Sequence, residues 1–255
     1  MFEAIILGIV QGITEFLPVS STAHLILLPW FFNWNSEVDT LTFDIALHAG
    51  TLCALIVCFW KDWADLIGRK QRLFGLILLS SVPAGITGVF LNDFVENSMR
   101  SPVIISLMLV VVGFVMLVSE KAFKYKNVDK IVFSDALIIG ISQSIAIIPG
   151  VSRSGITIAA GLFRGLEREA AARFSFLLST PIIAGAALLH GKKAFESAES
   201  YDLKLFAVGL LASFITGVVA IKFLLSFLKK YPLNVFVFYR FILAVVIIAG
   251  LWWKG

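Results

Sequence analysis

Apolar residues run along this chain in long blocks rather than in alternation. Blocks close to the roughly 20 residues that cross a bilayer occur at Phe43–Trp60, Leu73–Asn92, Val103–Val118, Phe174–His190, Leu205–Leu228 and Leu233–Trp253. They predict six transmembrane helices. Two more apolar stretches, Phe2–Phe32 and Ser134–Phe163, are each broken by proline-centred polar sequence. In the first the break is Leu17-Pro18-Val19-Ser20-Ser21, and in the second Pro149-Gly150-Val151-Ser152-Arg153-Ser154-Gly155. Proline removes a backbone donor and clashes with the preceding turn, so each stretch reads as a re-entrant helical hairpin with a non-helical tip. Two ordinary spans kinked at proline are the alternative. Irregular backbone at membrane depth survives only where protein buries it or where it lines a wet cavity, so the tips predict a polar cavity.

The pattern also repeats. A shift of 132 positions aligns Gly8 with Gly140, Ile9 with Ile141, Gln11 with Gln143, Ile13 with Ile145, Val19 with Val151 and Ser20 with Ser152. A nearly equal shift, 129, aligns Ile86-Thr87-Gly88-Val89 with Ile215-Thr216-Gly217-Val218. Each half, about 1–126 and 127–255, then holds one hairpin followed by three spans. Three is odd, so the second half sits upside down relative to the first, an inverted-topology repeat. The expected fold is an all-α polytopic membrane protein: one integral membrane domain over 1–255.

Composition agrees with this picture. Hydrophobic residues make up 59% of the chain and charged ones 15%, with a mean hydropathy of +0.94. The net charge of +4 suggests nucleic acid only until its placement is considered. With both termini outside, the inner loops hold thirteen Lys and Arg, among them Lys61, Lys70, Lys124, Lys126, Arg164, Arg168, Arg173 and Lys229. The outer segments hold five: Arg100, Lys192, Lys193, Lys204 and Lys254, with Glu37, Asp39, Asp93 and Glu96 beside them. Topology therefore accounts for the basic residues, and no nucleic-acid partner is expected. The opening Met-Phe-Glu lacks a basic leader, so the first apolar segment is expected to stay in the mature chain. Cys53 and Cys58 have no metal-type spacing and read as inert core thiols.

The broken segments carry the candidate chemistry. The first reads Gln11-Gly-Ile-Thr-Glu15-Phe-Leu-Pro-Val-Ser20-Ser21-Thr22-Ala-His24. Gln11 and Glu15, four apart, share a helix face and can turn two oxygens toward one cation or ligand. His24 follows Ser20 and Ser21 by four and three positions, which sets a base within a turn of a hydroxyl nucleophile. The second segment is a glycine-flanked turn opening a helix. Gly150, Ser152, Ser154 and Thr157, with Arg153 and the free amides, suit an anion. No Gly-Lys-Ser/Thr is present, so a nucleotide is not indicated. Asp44 and His48, four apart near the outer end of a span, could line the entry but read more readily as boundary residues; His190 reads as a helix end, Lys222 as a snorkelling lysine, and Arg240 as one member of an unidentified pair.

These two segments closely resemble the signature motifs of bacterial undecaprenyl-pyrophosphate phosphatases of the bacitracin-resistance type, and the span pattern matches along essentially the whole chain. The resemblance implies hydrolysis of undecaprenyl pyrophosphate to the monophosphate and phosphate. It also implies a divalent cation, magnesium or calcium, and a site facing the periplasmic side of the bacterial inner membrane. Glu15 then matches the essential acid and metal ligand, Ser21 the nucleophile, His24 the essential histidine and Arg153 the phosphate-binding arginine. Ser20, Thr22, Gly150, Ser152, Ser154 and Thr157 would bind substrate. Gln11 stands where many members have Glu, which weakens two-carboxylate chelation. Covalent attack by Ser21 and direct attack by water both remain open, as do a monomer and a homodimer. A transporter or flippase of a phosphorylated isoprenoid lipid is the rival reading, because inverted repeats with broken helices are also a transporter design.

Overall fold

The computed structural model describes residues 1–34, 41–196 and 202–254. Glu37 and Asp39 lie outside the described residues, as do the side chains of His190, Lys192 and Lys193. Eleven α-helices follow in order among the described residues: α1 Phe2–Phe16, α2 Ser21–Phe32, α3 Leu41–Cys58, α4 Trp60–Gly68, α5 Gln71–Ser98, α6 Pro102–Ser119, α7 Phe133–Ile145, α8 Arg153–Phe163, α9 Arg168–Glu196, α10 Leu203–Leu228 and α11 Asn234–Lys254. Helices α5, α6, α9, α10 and α11 are long and apolar enough to cross a membrane, and α3 with α4 makes a sixth if the pair counts as one span. That pair bends by 67° at Phe59, where Lys61, Asp62 and Asp65 replace the apolar run. The protein is a multi-pass membrane protein.

Both broken segments are helical hairpins, α1–α2 and α7–α8. Their tips share a backbone conformation that few residues adopt. Ser20 caps α2 at φ 75° and Ser152 caps α8 at φ 70°, each accepting an amide of the first turn on its hydroxyl. Left-handed backbone also ends both second legs, at Asn33 (φ 52°) and Gly165 (φ 84°). Non-glycine residues rarely take positive φ, so its recurrence at positions related by the same shift of 132 makes the duplication structural.

Packing repeats in the same way. α1 lies on α10 and α7 lies on α5, so each hairpin packs against the other half. Gly8 abuts the Gly209 carbonyl and Gly140 abuts the Ser80 carbonyl, so closely that a methyl at either glycine would collide with backbone. Direction shows the inversion. Phe59, directly after α3, and Asp62 of α4 meet Phe176 and Arg173 near the start of α9, while Asp44 and His48 near the start of α3 line one cavity with Ile183 and Ala186 farther along α9. α3 therefore runs antiparallel to α9, its own counterpart.

The core is centred on Phe16, Phe59, Phe174 and Phe176, with the Phe16 and Phe176 rings edge to face at 5.4 Å. Cys58 is only half-buried and Cys53 is exposed, which corrects the expectation of core thiols: five residues apart, they cannot both point inward. The loops expected to be inner are tied together at one end of the bundle. Arg173 pairs with Asp62, Lys70 with Asp129, Arg164 and Lys126 with Asp135, and Arg168 with Glu120. Burial pushes the Glu120 carboxyl up. The Arg168 hydrogen bonds, the Leu233 amide and the charges of Arg168 and Lys124 outweigh that and hold it below the usual carboxylate range.

Candidate active site

The hairpin tips meet. Arg153 Nη2 pairs with Glu15 Oε1, and Ser154 Oγ donates to the Leu17 carbonyl at 3.2 Å. Both members of the ion pair are largely buried, and Arg153 also donates from Nη1 to the Ser179 carbonyl at 3.3 Å. The other carboxylate oxygen, Glu15 Oε2, accepts Ser21 Oγ at 2.6 Å and Gln11 Nε2 at 3.1 Å. One carboxylate thus touches a guanidinium, a hydroxyl and an amide. Charge-assisted contacts of this kind are short and strong where water is excluded.

Beside them lies a cavity of about 330 Å³ lined by Glu15, Ser20, Ser21, Thr22, Ser152 and Arg153, together with Thr14, Gln143, Ser144 and Pro149. Asp44, His48, Asn92, Glu96 and Arg100 line it as well, and so do apolar or small residues of α5 and α9 such as Ala84, Gly88, Ile182 and Ala186. Helices α2 and α8 begin at this wall. By helix geometry the amides of Ser21, Thr22, Arg153 and Ser154 have no intrahelical acceptor, so two positive helix ends face the space that Arg153 and Arg100 also line.

The candidate residues do not all converge. Glu15, Ser21, Arg153, Ser20, Thr22 and Ser152 line the cavity. Gln11 is fully buried behind Glu15, and its Oε1 lacks a partner among the described residues. Gly150 shapes the second tip at φ 94°. Ser154 is spent on Leu17, and Thr157 Oγ1 shares a 2.6 Å hydrogen bond with Ser175 Oγ. His24 is not beside Ser21. Its Nδ1 lies 2.7 Å from the Ser20 carbonyl and its Nε2 lies 2.7 Å from the Tyr239 hydroxyl. A ring nitrogen facing a carbonyl must donate, so the neutral ring accepts from Tyr239.

His48, read from sequence more as a boundary residue than as part of an entry, is the imidazole that lines the cavity among the described residues. Its Nδ1 is 2.7 Å from the Asp44 carbonyl, and its Nε2 is 3.8 Å from Glu15 Oε2. The spacing of four from Asp44 was visible, but the inward direction of that helix face depends on packing against α1 and α10. Gln143 was visible too, as the repeat partner of Gln11. Both of its buried amide atoms lack a partner among the described residues, in a wall where substrate oxygens or water can supply them. Among the described residues Arg240 has no carboxylate partner and binds backbone carbonyls.

Comparison with known proteins agrees with this architecture. Residues 4–246 match the family model described as bacitracin resistance protein BacA. A protein of Thermodesulfovibrio yellowstonii named undecaprenyl-diphosphatase is 56% identical over 247 residues, covering 97% of this chain and 96% of its own. Proteins of the same name from Desulforudis audaxviator and Moorella thermoacetica are each 45% identical; the first alignment covers 97% of this chain and 96% of the relative, the second 99% and 98%. With paired hairpins, an inverted repeat and a full-length match, the chain belongs to the bacitracin resistance protein BacA family.

Proposed function

We propose that this protein removes the terminal phosphate of undecaprenyl pyrophosphate, releasing undecaprenyl monophosphate and inorganic phosphate. The observation that carries this reading is the 2.6 Å hydrogen bond from Ser21 Oγ to Glu15 Oε2, made where Arg153 and two helix N-termini face one cavity. Arg153 and the opening amides of α8 hold the terminal phosphate, and charge accumulating on its oxygens is stabilised there. Ser21 Oγ attacks the terminal phosphorus as its proton passes to Glu15. The anhydride P–O bond breaks, and the monophosphate lipid leaves with the bridging oxygen. Water then cleaves the phosphoserine. Single-step attack on the terminal phosphorus by a water that gives its proton to Glu15, with the same anhydride P–O bond breaking, uses the same wall. Glu15, not His24, is the base that touches the nucleophile, and His24 holds the Ser20 turn.

A divalent cation, magnesium or calcium, belongs to this reading. The donor set fits a hard ion that is completed by its substrate: Glu15 at the cavity wall, with Gln11 Oε1 behind it lacking a partner among the described residues, would supply oxygen ligands suited to such ions. No group of three His, Cys, Asp or Glu among the described residues holds a metal unaided. The ion would neutralise pyrophosphate charge. Ala84 and Gly88 of α5 and Ala186 of α9 leave a narrow apolar margin for the isoprenoid tail, so only the head group enters. Because the cationic loops gather at the other end, the positive-inside tendency turns the cavity toward the periplasmic side of the inner membrane.

Purified protein in detergent is expected to release phosphate from undecaprenyl pyrophosphate in the presence of magnesium or calcium. Release no faster than from a Glu15→Gln variant with either ion defeats the assignment. The antiparallel α3 and α9 favour a second reading, a carrier of phosphorylated lipid. It predicts transfer of labelled lipid across vesicles without phosphate release.

A further inference from the structure

Arg240 lies within α11, whose sole other Lys, Arg, Asp or Glu is the terminal Lys254. It is completely buried, and its partners among the described residues are all backbone carbonyls. Nε donates to Leu109 at 3.1 Å and Nη1 to Pro18 at 3.3 Å. Nη2 donates to Met108 at 3.2 Å, Gly150 at 2.8 Å and Val151 at 3.1 Å. One guanidinium thereby joins the tip of the first hairpin, the tip of the second and helix α6. The carbonyls bonded at the two tips lie within two residues of the cavity wall: Val151 precedes Ser152, and Pro18 lies in the turn before Ser20 and Ser21.

Charge at this depth is expensive unless it has a purpose. Packing alone would be served by an apolar residue, and backbone carbonyls at an irregular tip can be met by water or neutral donors. A guanidinium differs in geometry. Its planar fork offers five donors in fixed directions, which lets it fix the spacing between segments that sequence cannot connect. Lysine, a point charge on a flexible stem, cannot reproduce that. The preceding residue, Tyr239, reaches His24, so adjacent residues of α11 grip the first hairpin on both sides of its tip.

We propose that Arg240 is a positioning residue for phosphoryl transfer: it staples the two tips together and so sets Ser21 at its working distance from Arg153. The proposal rests on the phosphatase reading for its kinetic arm. The staple itself does not.

The test uses the full-length protein in detergent, with Arg240→Lys as the main variant and Arg240→Met as the second. Amide hydrogen exchange is followed over 17–24 and 149–156, with α3 and α10 as internal references, and kcat and KM for undecaprenyl pyrophosphate are measured per folded molecule. Arg240→Lys is expected to lower kcat at least tenfold with KM shifted less than threefold, and to speed exchange at both tips but not in α3 or α10. Arg240→Met, if it folds, is expected to show the same signature more strongly, and Lys is expected to rescue part of it. A merely structural residue would reduce the yield of folded protein and leave kcat unchanged. The proposal is overturned if Arg240→Lys loses less than tenfold in kcat, if the loss appears in KM, or if exchange rises at one tip only. Should the wild-type protein release no phosphate, the functional reading fails, while the exchange data still decide whether one guanidinium holds both tips.

Discussion

The two hairpins have nearly the same backbone and opposite duties. Each turns through a serine of positive φ, at Ser20 and Ser152, and ends in left-handed backbone, at Asn33 and Gly165. The first brings the carboxylate and the hydroxyl; the second brings the guanidinium. Where the repeat shift sets Glu15 in the first hairpin, Ile147 stands in the second, and Arg153 faces Ser21 in the register. Duplication supplied two copies of a shape, and an anion-handling reaction needs that shape with unlike charges on either side. Anchoring differs as well. The second hairpin is latched at its feet, where Asp135 of α7, fully buried, binds Arg164 beyond α8 and Lys126. The first is held by α11, through Tyr239 on His24 and Lys254 on Asn33.

Removing the latch should produce the largest effect outside the reacting groups. Asp135→Asn leaves two cations without their shared carboxylate, which costs roughly 2–4 kcal/mol once their partial exposure is discounted. At the first hairpin's foot Lys254 meets Asn33 in an exposed contact, and Lys254→Met is expected to cost under about 1 kcal/mol. Thermal unfolding in detergent compares the two. Equal losses would mean that both hairpins depend on their feet, against the difference drawn above.

The α11 anchor predicts a kinetic result. If His24 works by holding the Ser20 turn, His24→Ala lowers kcat on the order of 100-fold through misplacement of Ser21. Tyr239→Phe, which removes the hydroxyl that His24 binds, then lowers it about 3- to 10-fold. Because both act through one contact, the double variant should be no slower than His24→Ala alone. Losses that multiply would instead assign His24 an action on substrate independent of α11.

Much of this was legible in the sequence because membrane burial simplifies the code. Apolar blocks placed the spans, prolines at 18 and 149 placed the tips, and the shifted identities placed the inversion. Glu15 and Arg153 came from the same signals, since charged residues at depth are conspicuous, whereas Ser21 was set apart from Ser20 only by the family resemblance. What failed was side-chain direction. His24 and His48 each sit four residues after a carbonyl that fixes the ring, and only packing decides which ring enters the cavity. α2 turns His24 toward α11, and α3 turns His48 toward Glu15. Spacing along one helix contains no information about its rotation against a neighbour. Arg240 was unreadable for a related reason: its partners are carbonyls, which every residue has.

The smallest difference between the hairpins lies where their second legs end. Asn33 and Gly165 occupy the same backbone region, one with a side chain and one without. Asparagine tolerates left-handed backbone better than most residues, and Asn33 Oδ1 also accepts from Lys254, so Asn33→Gly exchanges a surface contact for relief of mild strain. A change within about 1 kcal/mol is expected. Gly165→Ala is not its mirror image. Besides the cost of positive φ, roughly 1 kcal/mol or more, the new methyl would press on the Tyr125 ring, whose nearest carbon would lie 2.6 Å away. Tyr125 is half exposed and its ring can yield, so the total should stay near 1–3 kcal/mol. Its backbone cannot yield as easily, because the Tyr125 and Lys126 amides both donate to the Gly165 carbonyl at 2.9 Å. The strain therefore passes to Lys126 and on to Asp135. Gly165→Ala in an Asp135→Asn background should cost less than the sum of the two changes. Full additivity would separate the turn from the latch and leave the second hairpin anchored at two independent points.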